Sequence, residues 1–188
     1  MPNYQPTKRD WLACFSQRGD EIYNLVREFN RWPNTIITNN PKVESVLARD
    51  YLYSKCPPFD FHELPVRPHA EDYVEIVEQY KEPIITLHGF LRIVPPTICE
   101  KYEIYNLHPG LITSYPELKG KDPQERAWEG KYPYIGAVIH KVTAGVDEGE
   151  IMVFKGIKNN CKSLDETYNV LKNLSFNLWK EFLPGLLV

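Results

Sequence analysis

Short apolar runs alternate with amphipathic stretches through the first two-thirds of this chain, the pattern of strands and crossover helices around a parallel sheet. It predicts an α/β fold: an open, Rossmann-like, mostly parallel sheet with helices on both faces. Trp11 to Phe15 reads as the first strand. Ile22, Leu25, Val26 and Phe29 then recur at helical spacing until Trp32-Pro33 stops them, and Thr35 to Thr38 is the second strand. Val43, Val46 and Leu47 predict another helix, Phe59 to Leu64 a short strand, and Tyr73, Ile76, Val77 and Tyr80 a third helix. Pro83 introduces a strand from Ile84 to Leu87, followed by a glycine-bearing turn, a helix start at Pro95-Pro96 and a strand from Tyr102 to Leu107. Asp122 and Pro123 are expected to cap and open a short helix ending near Gly130. Tyr134 to Val142 and Ile151 to Ile157 read as two longer strands joined by the loop that holds Asp147. Ser163 and Glu166 have capping-box spacing ahead of a packing helix that carries Leu164, Tyr168, Leu171, Leu174, Leu178 and Phe182 and closes on Pro184.

A length of 188 residues suits one domain with a sizeable core, and residues 1–188 are read as a single catalytic domain. The net charge of -3 leaves no broad basic face, which argues against nucleic acid as a partner. No stretch approaches the roughly 20 apolar residues that span a bilayer, so no membrane partner is expected. The polar first ten residues lack the apolar core of a secretory signal, and a cytoplasmic protein is expected. Cys14, Cys56, Cys99 and Cys161 are dispersed, without the paired spacing of a zinc site, and are expected to be reduced thiols with no metal. Oligomeric state stays open at this point.

In open α/β sheets, ligands bind outside the carboxyl ends of strands, and the loops at Gly89 and His108 both leave from such ends. Asn106-Leu107-His108-Pro109 ends one apolar segment, and Val146-Asp147-Glu148-Gly149 follows another about forty residues later. Where strand ends converge, an amide can donate to a developing oxyanion, an imidazole can move a proton, and a carboxylate can orient and charge that imidazole. These three types together suit transfer of an acyl-type carbon. Asp147 is expected to favour the charged form of His108 and so keep it protonated near neutral pH. Taken singly, a His before Pro is an ordinary turn residue and Val-Asp-Glu-Gly an ordinary hairpin signal. His140, flanked by Ile139 and Val142, reads equally as a core histidine or as support for a site, and stays outside the catalytic set.

Five blocks in order carry a family resemblance: Leu87 to Val94, Asn106 to Ile112, Lys119 to Pro123, Ile139 to Val142, and Gly145 to Gly149. The stretch from Ile84 to Met152 resembles the folate-dependent formyltransferases, especially the glycinamide ribonucleotide branch. The resemblance implies the formyltransferase fold and transfer of a formyl group from 10-formyltetrahydrofolate to a primary amine of a small, phosphorylated, phosphoribosylglycinamide-like acceptor. It assigns catalysis to Asn106, His108 and Asp147. It implies that Arg92, Val94, Ala144 and Val146 contact the folate, largely through backbone groups, with Leu87, Phe90 and Ile93 as an apolar wall. Arg92 should in any case reach solvent or an anion, because an unpaired buried Arg is costly.

The family's acceptor phosphate binds at the turn that here reads Ser16-Gln17-Arg18-Gly19-Asp20, through backbone amides and the helix dipole. An ordinary capped turn is the competing reading, since Asp20 and Glu21 bring negative charge that Arg18 offsets only in part. A further departure lies before Leu183-Pro184, where the family's acidic residue and His are replaced within Asn177-Leu178-Trp179-Lys180-Glu181-Phe182. An amino-sugar nucleotide as acceptor, or hydrolysis of formyltetrahydrofolate, are the alternative reactions, with a non-enzymatic folate- or nucleotide-binding module behind them. Methionyl-tRNA formyltransferases add a second domain, for which this length leaves no room.

Overall fold

The computed structural model describes residues 9–40 and 58–188. Seven strands form one sheet in the order β3-β2-β1-β4-β5-β6-β7. They are β1 (Trp11–Phe15), β2 (Thr35–Thr38), β3 (Asp60–Glu63), β4 (Ile84–Leu87), β5 (Glu103–His108), β6 (Tyr134–Lys141) and β7 (Ile151–Lys158). The five from β3 to β5 are parallel, whereas β6 and β7 are added antiparallel at one edge. The helices are α1 (Asp20–Phe29), α2 (Ala70–Val77), α3 (Pro96–Lys101), α4 (Pro123–Glu129) and α5 (Leu164–Leu186), with a 3₁₀ turn at Pro116–Leu118. The expected α/β architecture is therefore present. The helix expected around Val43 to Leu47, and Cys56, lie outside the described residues.

The sheet is sandwiched because successive side chains of a strand point to opposite faces. Trp11, Ala13 and Phe15 of β1 pack with Tyr105 and Leu107 against Ile22, Leu25 and Val26 of α1 and Leu178, Trp179 and Leu183 of α5. Leu12 and Cys14 face the other way, with Ile85, Leu87 and Ile104, onto Tyr73, Ile76 and Val77 of α2 and Ile98 of α3. Each fully buried aliphatic side chain in these layers contributes roughly 1.5–3 kcal/mol. Burial pushes the Cys14 thiol up to about 12, so it is an inert core group. Cys99 and Cys161 are also free thiols.

Element ends differ from the sequence expectation where local geometry decides. Asn30, left-handed at φ 49, ends α1 before Trp32-Pro33 is reached. The fifth strand runs one residue further than expected, so His108 is its last residue rather than the first of a loop. Asp122 occupies the position before α4 but is left-handed at φ 52, and its side chain makes no cap. Ser163 does cap α5 by accepting from the Glu166 N–H at 3.1 Å. The reciprocal half of the box is displaced by one residue, because the Glu166 carboxylate accepts from Lys162 N–H at 2.7 Å. Pro184 does not close α5, which runs on to Leu186. So near a C-terminus, proline forfeits only one backbone bond, and burial of Leu183 and Leu187 offsets that loss.

Ile36 lies on the wholly buried β2, in the layer against α1 and α5. Ile36→Ala should cost about 2–5 kcal/mol of unfolding free energy in chemical denaturation.

Candidate active site

Asn106 and His108 are two residues apart on β5 and so share a face, while Tyr105 and Leu107 fill the opposite layer. Residues paired across antiparallel strands also share a face, and the register sets Asn106 opposite His140. Asn106 Nδ2 lies 3.2 Å from His140 Nε2. The loop between β6 and β7 then brings in Asp147, left-handed at φ 52. Its Oδ2 is 3.2 Å from His108 Nδ1, and its Oδ1 is 3.2 Å from His140 Nε2. The three residues expected to converge do so, and His140 joins them as a fourth. The carboxyl ends of β4, β5 and β6 meet here, through the pairs Leu87–Asn106 and Asn106–His140. Because β6 runs antiparallel, its far end at Lys141 pairs with Tyr105, and the Asp147 loop returns along the face to reach His108.

A second layer holds this cluster. Gly120, left-handed at φ 84, donates its N–H to Asp147 Oδ2 at 2.8 Å, which gives the Lys119-to-Pro123 block a backbone role. The Leu118 carbonyl faces His108 Nε2 at 2.9 Å. Arg126 of α4 pins that segment by donating to the carbonyls of Glu117, Leu118 and Lys119, at 2.6, 2.9 and 2.8 Å. Gly110 leaves room for the imidazole, since a Cβ there would come within 2.7 Å of His108 Nε2. Sequence reasoning found neither Arg126 nor the Leu118 carbonyl. Both act through tertiary contact with the backbone, which leaves no motif. His140 had a signal in the Ile139-to-Val142 block, but its meaning depends on strand register.

Burial of His108 is the largest influence on its pKa and lowers it below the ordinary value of 6.5, although Asp147 and the Leu118 carbonyl pull upward. The expectation that Asp147 holds His108 charged near neutrality is therefore corrected: desolvation outweighs the carboxylate. Either neutral tautomer leaves one ring nitrogen facing an oxygen without a proton between them, since Asp147 and Leu118 both offer acceptors. The imidazole is thus a base with both partners already in place for an incoming proton. At Asp147, burial alone would raise the pKa, but the hydrogen bond from His140, the charge of His108 and the Gly120 N–H together hold it below the ordinary 3.8. His140 Nδ1 meets the Lys141 carbonyl at 3.0 Å, and its Nε2 lies 3.2 Å from both Asn106 Nδ2 and Asp147 Oδ1, of which only the carboxylate can accept its proton.

The residues expected on the folate side divide. Leu87, Phe90 and Val94 are buried in the layer against α2 and α3. Ile93 is 71% exposed, so it is not a wall of the packed core; it belongs to an open turn, as does Leu91. Ala144 and Val146 are exposed on the loop that carries Asp147. Arg92 is half-buried and meets no carboxylate among the described residues. Its Nη1 donates to the Leu91 carbonyl at 2.9 Å. The Asn39 amide is assigned with its nitrogen donating to Ser16 Oγ, which lets its oxygen accept from Arg92 Nε at 2.7 Å.

On the acceptor side, Ser16 is buried and committed: its N–H donates to the Gly89 carbonyl at 3.2 Å, and its Oγ accepts from Leu91 N–H at 2.7 Å. The Gln17 side chain reaches to Gly89, and its Oε1 would stand 3.3 Å from a Cβ there. Arg18 is exposed and pairs with Asp20 at 3.4 Å. Gly19 is buried and left-handed at φ 73, which turns the chain into α1.

A family model described as formyl transferase matches residues 33–173. The chain belongs to the formyl transferase family. It is 27% identical over 114 residues to a methionyl-tRNA formyltransferase of Fervidobacterium nodosum, covering 60% of this chain and 36% of that one. It is 29% identical to a formyltetrahydrofolate deformylase of Synechocystis, covering 62% and 40%. With a phosphoribosylglycinamide formyltransferase of Dictyostelium discoideum it shares 32% identity, covering 52% and 54%. The chain thus spans about a third to a half of these curated relatives. Its fold matches the phosphoribosylglycinamide formyltransferase structure from Streptococcus pneumoniae with a TM-score of 0.81 at 22% identity, covering 96% and 99% of the two chains. That from Anaplasma phagocytophilum gives 0.79 at 18%, covering 93% and 84%. Among the described residues, no helix is long and apolar enough to cross a membrane, and no cluster suits a metal ion.

In an NMR titration, the His108 imidazole should titrate below pH 6.5. Asp147→Asn removes an influence that raises this pKa, so the midpoint should fall further; a rise would refute the assigned coupling.

Proposed function

We propose that this protein transfers a formyl group from 10-formyltetrahydrofolate to a primary amine of a small, phosphorylated acceptor of the phosphoribosylglycinamide type. One observation carries the reading: Asn106, His108, Asp147 and His140 form a single hydrogen-bonded cluster on one face of β5 and β6. Family membership supports the reaction class, and the Dictyostelium relative supports the acceptor class.

The chemistry needs two charges handled at one carbon. As the amine nitrogen bonds to the formyl carbon, the carbonyl π pair moves to oxygen and the nitrogen becomes cationic. Asn106 Nδ2 carries two protons and can donate one to that oxygen, while His140 Nε2–H goes to Asp147. His108, kept neutral by burial, can take the proton that the nitrogen must lose, and the imidazolium so formed satisfies Asp147 and the Leu118 carbonyl together. Collapse then breaks the bond to the folate nitrogen, which leaves with the proton that His108 took up, so that the imidazole returns to its neutral form. The folate is a substrate here. The exposed turn around Leu91 to Ile93 and the exposed Ala144 and Val146 are where its ring would lie, and the backbone N–H groups opening α1 are where acceptor phosphate would bind.

A water molecule could take the amine's place, and the likeness to a deformylase makes hydrolysis the second reading. A spectroscopic assay of tetrahydrofolate release separates the two. Release should require glycinamide ribonucleotide or another amine and yield a formylated acceptor; release at the same rate without any amine would establish hydrolysis. Asn106→Ala and His108→Ala should each lower kcat by about 100- to 1,000-fold, and unchanged turnover in either would remove its role.

A further inference from the structure

A second buried polar network lies apart from the reacting cluster. His88, whose side chain is fully buried, places Nδ1 2.7 Å from Glu21 Oε2 in the first turn of α1. Its Nε2 is 2.8 Å from Thr86 Oγ1, which also accepts from Trp11 Nε1 at 2.8 Å. One tautomer satisfies the whole chain: Trp11 donates to Thr86, Thr86 donates to His88 Nε2, and His88 Nδ1–H donates to Glu21. The Trp179 ring of α5 lies against the imidazole at 4.9 Å between centroids. Removing either side chain would leave a buried polar partner without its hydrogen bond, which is costly.

We propose that Glu21 and His88 are a positioning pair that locks the start of α1, and with it the Ser16-to-Asp20 loop, in the conformation that receives the acceptor. The inference rests on the transferase reading of that loop. The loop is tied at its first residue by the Ser16 bonds to Gly89 and Leu91. At its far end, Gly19 is left-handed, the α1 N-cap makes no side-chain hydrogen bond, and Arg18 pairs with Asp20 within the loop itself. The bond from His88 to Glu21 ties that end by a side chain, next to the buried Ile22. It acts on one side only. The turn after β4 keeps its own anchor, because the His88 N–H donates to the Cys14 carbonyl whatever the side chain does. Loss of the pair should therefore loosen the acceptor loop and leave the folate turn and the reacting cluster in place.

Glu21→Ala and His88→Ala should raise the acceptor KM about tenfold, with kcat within about twofold and folate affinity unchanged. Glu21→Gln keeps an oxygen for the His88 N–H and should stay near wild type, which tests for the hydrogen bond rather than the charge. Hydrogen exchange supplies a readout independent of turnover: amides of residues 17–21 should exchange about tenfold faster in Glu21→Ala, while those of β5 and β6 do not change. Unchanged exchange and unchanged KM in Glu21→Ala would overturn the pair's role, as would a fall in kcat with KM constant. If the wild-type protein formylates no amine, faster loop exchange in Glu21→Ala still upholds the lock, and only the transferase reading fails.

Discussion

The antiparallel register of β6 on β5 sets Asn106 opposite His140, and the reacting cluster depends on that pairing. Side chains alternate along a strand, so a slip of one residue would turn His140 to the far layer and leave Asn106 without its partner. The same register carries the β6–β7 loop back along the face, where Asp147 closes the cluster between the two imidazoles. The parallel half of the sheet contributes support of another kind. Leu87 of β4 is paired with Asn106, which brings the Gly89 turn alongside the cluster.

Within the cluster, burial and hydrogen bonding oppose each other differently at the two key groups. At Asp147, the Gly120 N–H and the two histidines outweigh desolvation, and the carboxyl stays ionised. At His108, desolvation outweighs one carboxylate and one carbonyl, and the ring stays neutral until a proton arrives. A buried carboxylate facing a neutral imidazole is poised for transfer, because protonation of the ring completes two hydrogen bonds already at contact distance. Arg126 matters to this balance although it touches no titrating group of the cluster, since it holds the carbonyl-bearing segment that meets His108 Nε2.

The proposed acceptor side is built on separate contacts. Ser16 ties the turn after β1 to the turn after β4, and the Glu21–His88 pair ties the helix that follows. Both sets lie at the carboxyl ends of parallel strands, where backbone groups leaving the sheet need new partners. The β5–β6 cluster and the start of α1 are thus held by different bonds, and a change in one loop need not disturb the other.

The sequence by itself determined the strand–helix alternation and the candidates Asn106, His108 and Asp147, because apolar periodicity and ordered motif blocks are local along the chain. It misjudged the ends of α5 and β5 by a few residues, since caps and a proline in the last turn are decided by what packs around them. Only the tertiary structure brought His140 into the cluster, supplied Arg126 and the Leu118 carbonyl, and set His108 neutral rather than charged. Register, backbone acceptors and desolvation come from segments distant in sequence, and no local pattern of residue types encodes their sum.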